Sequence, residues 1–141
     1  MGKIKILLVD DDEMIRIYFR DVVWIHGLDR QYDLEVTSSL EKAEEMVRNP
    51  KTRPHILFLD LVVPVKEGER SVSTPEASFD LLKKIKEDPE LRDIKVVIFS
   101  AHGEKSFQDE AKRLGAAGYL KKDESMPRDL IAFMEKLCKK P

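Results

Sequence analysis

The chain has 141 residues, the length of one domain with a full core. Hydrophobic residues make up 42% and charged residues 37%, with a formal net charge of -2, so there is no basic excess of the kind that marks a nucleic-acid binder. The lysine-interrupted start is no signal peptide, no run approaches the ~18 apolar residues of a membrane span, and the lone Cys138 cannot form an internal disulfide; a reducing, cytoplasmic setting is expected.

The first predicted element is a strand, Lys3-Ile4-Lys5-Ile6-Leu7-Leu8-Val9, which runs directly into Asp10-Asp11-Asp12-Glu13. Ile15, Tyr18, Phe19, Val22 and Val23 then recur at helical spacing, with Asp12 placed to cap the helix and Gly27 to end it. Near its end, Trp24 reads as a packing residue and His26 as a solvated one. Leu34-Glu35-Val36-Thr37 alternates as a short, edge-like strand, and Ser39 to Arg48 makes a charged helix that turns Leu40, Ala43, Met46 and Val47 to the core.

Ile56-Leu57-Phe58-Leu59 is a continuous apolar run between Pro54 and Pro64, the pattern of a strand buried on both faces in a parallel sheet, and it ends in Asp60. Val65 to Ala77 is the least regular stretch, with Gly68, Ser71, Ser73, Thr74 and Pro75, and reads as a long loop that is functional or mobile. From Ser78 a helix carrying Phe79, Leu82 and Ile85 stops near Asp88-Pro89, and Val96-Val97-Ile98-Phe99 is a further buried strand ending in Ser100. The helix at 104–114 shows only Phe107, Ala111 and Leu114 on one face, a thin stripe that predicts a loosely held element. Tyr119-Leu120 is the last strand, followed by Lys121-Lys122-Asp123. Leu130, Ile131, Met134, Leu137 and Cys138 stripe the terminal helix, where the thiol is expected to be buried.

Strand then helix, five times over, assembles most simply as an open, doubly wound parallel sheet with helices on both faces and no second domain. In such a sheet the ligand crevice lies at the carboxyl ends of the strands. Those ends supply Asp10 and Asp11, Asp60, Ser100 and Lys122. Two carboxylates about 5 Å apart repel by about 3 kcal/mol at an effective dielectric near 20, so a positive charge is expected among them, magnesium being the foremost hard divalent candidate. Nucleophilic carboxylate, cation, hydroxyl and ammonium are together the working parts of phosphoryl transfer.

Ile6-Leu7-Leu8-Val9-Asp10-Asp11, Asp60 with Pro64 and Gly68, Ser100-Ala101, and Gly118-Tyr119-Leu120-Lys121-Lys122 occur in this order on successive strands. On these motifs the whole chain resembles the receiver domain of two-component response regulators, the family of the bacterial chemotaxis regulator. The resemblance implies a flavodoxin-like (βα)5 fold with strand order 2-1-3-4-5. It implies that Asp60 is the phosphoacceptor, Asp11 a direct magnesium ligand, Asp10 a ligand acting largely through water, and the backbone carbonyl of Val62 the remaining protein ligand. Ser100 would contact the phosphoryl group, Lys122 would pair with Asp60 and then with the phosphate, and Tyr119 would be the aromatic whose rotamer follows Ser100.

The resemblance further implies a stand-alone receiver, a phosphoacceptor signalling domain and not an enzyme, that assists its own phosphorylation and dephosphorylation. A histidine kinase or histidine phosphotransfer protein would be its donor. An unknown downstream protein would bind the face made by the fourth helix, fifth strand and fifth helix, with no direct nucleic-acid contact and no membrane insertion. Two departures stand out: Asp123 replaces the proline that usually follows the lysine, which puts a cis peptide there in doubt, and the stretch at 65–77 is an insertion that overhangs the site. A phosphorylation-independent binding scaffold is the alternative suggested by that insertion. An aspartate-dependent phosphohydrolase using Asp10-x-Asp12 is a further one.

Overall fold

Apolar strands that must be covered on both faces force a three-layer arrangement, and the computed structural model has it. It describes residues 2–63, 65–67, 70–72, 75–125 and 127–138, with backbone alone for 65–67, 70–72 and 138. In chain order the strands are β1 (Ile4–Val9), β2 (Tyr32–Thr37), β3 (Ile56–Leu59), β4 (Val65–Glu67), β5 (Arg70–Val72), β6 (Lys95–Ser100) and β7 (Gly118–Lys121). The helices are α1 (Glu13–Ile25), α2 (Leu40–Arg48), α3 (Pro75–Glu87), α4 (Lys105–Arg113) and α5 (Pro127–Cys138). Five strands form one parallel sheet in the order β2-β1-β3-β6-β7. With the separate β4–β5 ribbon set aside, this is the expected order 2-1-3-4-5. None of the described helices is long and apolar enough to cross a membrane.

The period of two along each strand divides the core. Leu7, Val9, Leu57, Leu59, Val96 and Ile98 pack with residues of α2, α3 and α4, while Ile6, Leu8, Ile56, Phe58, Val97 and Phe99 pack with Phe19 of α1 and Leu130 and Met134 of α5. On the second face Phe19 makes edge contacts with Phe58 and Phe99, ring centroids 5.1 and 5.2 Å apart. Such a two-sided core holds the strand ends in fixed register, and that is what a site built from them requires.

Helix starts follow local chemistry. Asp12 accepts a hydrogen bond from the Met14 amide at 2.9 Å, and Ser39 accepts one from Lys42 at 3.1 Å. Both occupy the cap position with extended backbone. Ser39→Ala is expected to cost about 1 kcal/mol, read as a lower urea midpoint with an unchanged slope. After α1 the chain turns at Gly27, whose φ of +68° is the left-handed conformation that suits glycine.

Several expectations need correction. The segment read as a structureless loop contains the antiparallel ribbon β4–β5, with Val65 opposite Val72 and Glu67 opposite Arg70. Two short segments flanking a glycine-first pair, Gly68-Glu69, are a hairpin pattern that a tally of loop-forming residues conceals. The third helix starts at Pro75, three residues earlier than the apolar spacing suggests, because proline suits the first helical turn. Trp24 does not pack: it is 72% exposed, beside the equally exposed Ile25. At the end of an amphipathic helix, one residue's rotation decides between core and solvent. The second strand also starts earlier than read, at the buried Tyr32. The expected burial of the Cys138 thiol, and the motif positions Pro64 and Gly68, lie outside the described residues. α4 does have a thin stripe, with Ala111 its one buried residue and Phe107 half-buried.

Candidate functional site

Backbone ladders carry the acidic residues to one edge. The Asp10 amide donates to the Thr37 carbonyl at 3.0 Å, and the Asp60 amide donates to the Val9 carbonyl at 2.9 Å, so each aspartate continues a strand pairing by one more bond. Asp10 is 0% and Asp60 5% exposed, whereas Asp11 is exposed. One carboxylate oxygen from each of the three lies within 4.8 Å of the others.

Lys122, just beyond β7, reaches into this cluster. Its Nζ lies 2.7 Å from Asp10 Oδ2 and 3.3 Å from Asp60 Oδ2, and its side chain is 15% exposed. Phe99 lies under the ammonium, 5.9 Å from ring centroid to Nζ. Burial pushes the lysine toward neutrality, but the Asp10 and Asp60 carboxylates outweigh it and hold it charged. Burial first and Asp10 second push Asp60 up to about 7, against the opposing pull of Lys122.

Three acids facing one ammonium remain a charge-deficient site. Asp10 Oδ1 accepts from the Asp12 amide at 2.9 Å, but Oδ2 is buried and has only the Lys122 ion pair, without an aligned hydrogen bond. A buried oxygen so placed, with two further carboxylates beside it, is a donor set suited to a hard divalent cation such as magnesium. The Val62 amide stands 3.4 Å from Asp60 Oδ1, which puts this residue of the following loop at the edge of the same cluster.

Ser100, at the end of β6, is fully buried, and its Oγ accepts from the His102 amide at 3.0 Å. Tyr119 on β7 donates its hydroxyl to the His102 carbonyl. Burial raises the phenol's pKa, and the nearby Ser100 hydroxyl opposes the rise. The two residues thus meet through the loop at 101–103. The His102 ring points away, edge-on to Phe107 at 6.2 Å and 3.8 Å from Glu104.

Two supporting residues escaped the sequence reading. Arg16 donates to the Asp10 carbonyl at 2.7 Å, and the buried Ser78 hydroxyl donates to the Asp60 carbonyl at 2.9 Å. Arg16 looks like one more charge on a solvated helix face, and Ser78 is 18 residues from its partner, so neither carries a local signal. Every peptide bond among the described residues is trans, and Lys122–Glu124 forms a single helical turn.

A doubly wound α/β domain with a buried acidic pocket and one lysine at the carboxyl edge of its sheet belongs to the flavodoxin-like class. More particularly, the chain belongs to the response regulator receiver domain family, whose sequence model matches residues 6–135. It is 25% identical over 123 residues to the polar-differentiation response regulator DivK of Brucella anthropi, covering 87% of each chain. It is 28% identical over 130 residues to the uncharacterized transcriptional regulatory protein YxjL of Bacillus subtilis, covering 92% of this chain; the chain spans about half (51%) of that relative's length. In fold it is similar to a putative response regulator from Chloroflexus aurantiacus, with TM-score 0.76, 22% identity and coverage of 96% and 98% of the two chains. It is likewise similar to the chemotaxis response regulator CheY4 of Vibrio cholerae, with TM-score 0.75, 20% identity and coverage of 96% and 99%. Membership in this family supports a phosphoacceptor role in two-component signalling.

Proposed function

We propose that Asp60 accepts a phosphoryl group from a phosphohistidine on a histidine kinase or phosphotransfer protein, and that the modified domain changes its choice of partner. The observation that carries this reading is a buried aspartate at a strand end, flanked by two further carboxylates, with Lys122 Nζ 3.3 Å from its Oδ2.

An ionised Asp60 oxygen attacks the phosphorus, the bond from phosphorus to the donor imidazole breaks, and the imidazole nitrogen keeps the electron pair. Lys122 shifts its charge pairing from the aspartate to the transferred oxygens, and the Ser100 hydroxyl, turned toward the site, donates to another. Asp10, Asp11, Asp60 and the Val62 carbonyl would hold magnesium, which would supply charge that favours ionised Asp60 and offsets the charge on the phosphoryl oxygens. Asp10 and Asp11 thus serve as ligands rather than nucleophiles.

Output follows from the link between Ser100 and Tyr119. When Ser100 turns to the phosphate it releases the His102 amide, and the bond from Tyr119 to the His102 carbonyl then biases the segment leading into α4. With one buried residue, α4 is weakly anchored, so the face of α4, β7 and α5 is the element that shifts. The β4–β5 ribbon follows Asp60 in the chain and is assigned to governing access or partner choice.

Incubation with acetyl phosphate and magnesium is expected to give an acyl phosphate, labile to acid, base and hydroxylamine, on the wild-type protein and none on Asp60→Asn. Undiminished labelling of the variant refutes the assignment. Labelling that survives chelation of divalent ions refutes the role given to magnesium.

A further inference from the structure

The turn that presents Lys122 is tied down by a hydrogen-bond chain outside the pocket. Tyr18, half-buried on α1 and packed on the core shared with α5, donates its hydroxyl to the Ser125 carbonyl at 2.9 Å, spanning 107 residues of sequence. Ser125, itself buried, donates its hydroxyl to the Lys121 carbonyl at 2.7 Å. The helical turn Lys122–Glu124 is therefore bracketed: Ser125 joins its end to its beginning, and Tyr18 joins both to α1. A further side-chain tie within the turn, between Lys121 and Glu124 at 3.0 Å, lies at the surface, where an ion pair contributes little. No proline stiffens residues 121–125. Burial and the Asp129 carboxylate both raise the Tyr18 pKa, so the phenol stays a donor.

We propose that Tyr18 and Ser125 are positioning residues for Lys122, and that their hydrogen-bond chain to Lys121 holds the turn from which the ammonium reaches Asp10 and Asp60. The proposal rests on the phosphoacceptor reading for its consequence, but not for its geometry. The two carboxylate contacts, at 2.7 and 3.3 Å, leave no slack. A displacement of about 1 Å at the lysine backbone takes the ammonium out of reach of a transferred oxygen, and errors of that size carry rate losses of tenfold or more.

The test compares Tyr18→Phe, Ser125→Ala and Ser125→Thr, each alone and with Lys122→Ala, using acetyl phosphate and magnesium. Tyr18→Phe and Ser125→Ala are each expected to lower the saturating phosphorylation rate about tenfold with little change in donor half-saturation, and Ser125→Thr, which keeps the hydroxyl, to restore it. Combined with Lys122→Ala, neither substitution is expected to lower the rate by a further factor of more than about two, because both act through the lysine. An equal loss persisting without Lys122, or no loss in either single variant of a protein that is labelled, overturns the proposal. Absence of label on the wild-type protein sinks the phosphoacceptor reading instead. Amide hydrogen exchange across residues 122–125 then decides the clamp by itself: faster exchange in Tyr18→Phe supports it, and unchanged exchange overturns it.

Discussion

Lys122→Ala is expected to destabilise the fold by about 3 kcal/mol near neutral pH and to slow phosphorylation about 100-fold. Among the described residues the ammonium is the one positive group paired with the Asp10 and Asp60 carboxylates, and both of those carboxylates are nearly or wholly removed from water. Removing one partner of a buried ionic cluster costs more than the cluster contributes, because the remaining charges stay desolvated without compensation. Asp60 can relieve part of this by taking up a proton, since Lys122 is what opposes the upward pull of burial and Asp10. That relief also removes the ionised nucleophile. Urea unfolding measures the first effect and a labelling time course the second. Because a divalent cation would substitute for the missing charge, magnesium is expected to recover more stability in the variant than it adds to the wild type. An unchanged urea midpoint in the variant would show that the ammonium does not offset the acids.

Asp60→Asn is expected to be more stable than the wild type by about 2 kcal/mol at about pH 8, and to lose that advantage below about pH 4. Asp60 has a folded-state pKa raised to about 7 from an ordinary value of 3.8. Between these two values the native protein holds a proton that the unfolded chain has released. The stability of the wild type therefore declines as pH rises through that window and levels off above about 7, while asparagine has no such dependence. The gain is well below what the full shift would give, because asparagine also removes one of the two carboxylates that pair with the buried Lys122 ammonium. Thermal unfolding across this pH range checks it. Added magnesium is expected to close the gap by stabilising the wild type alone, since the amide offers no charge to the cation. A constant offset between the two proteins at every pH would place Asp60 in a solvated setting.

The legibility of the chain was uneven for physical reasons. Ile56–Leu59 and Val96–Phe99 were plain as buried strands because both faces of a central parallel strand must be apolar. Asp60, Ser100 and Lys122 were legible because each ends or follows such a run, and the topology brings strand ends together whatever the loops do. The ribbon β4–β5 was missed because a three-residue strand has too few alternations to outweigh the loop-forming residues around it. Trp24 was misplaced because hydrophobicity does not say which way a helix end is turned.

By itself, the order of apolar runs and polar strand ends determined a doubly wound sheet and the chemical types gathered at its carboxyl edge, since alternation and burial are local requirements written residue by residue. Only the tertiary structure decided that Lys122 stands between Asp10 and Asp60, that Arg16 and Ser78 hold the two aspartate carbonyls, and that Tyr18 reaches across to Ser125. Those contacts join residues far apart in the chain, and a hydrogen bond of about 3 Å depends on how whole elements pack, which no local pattern encodes.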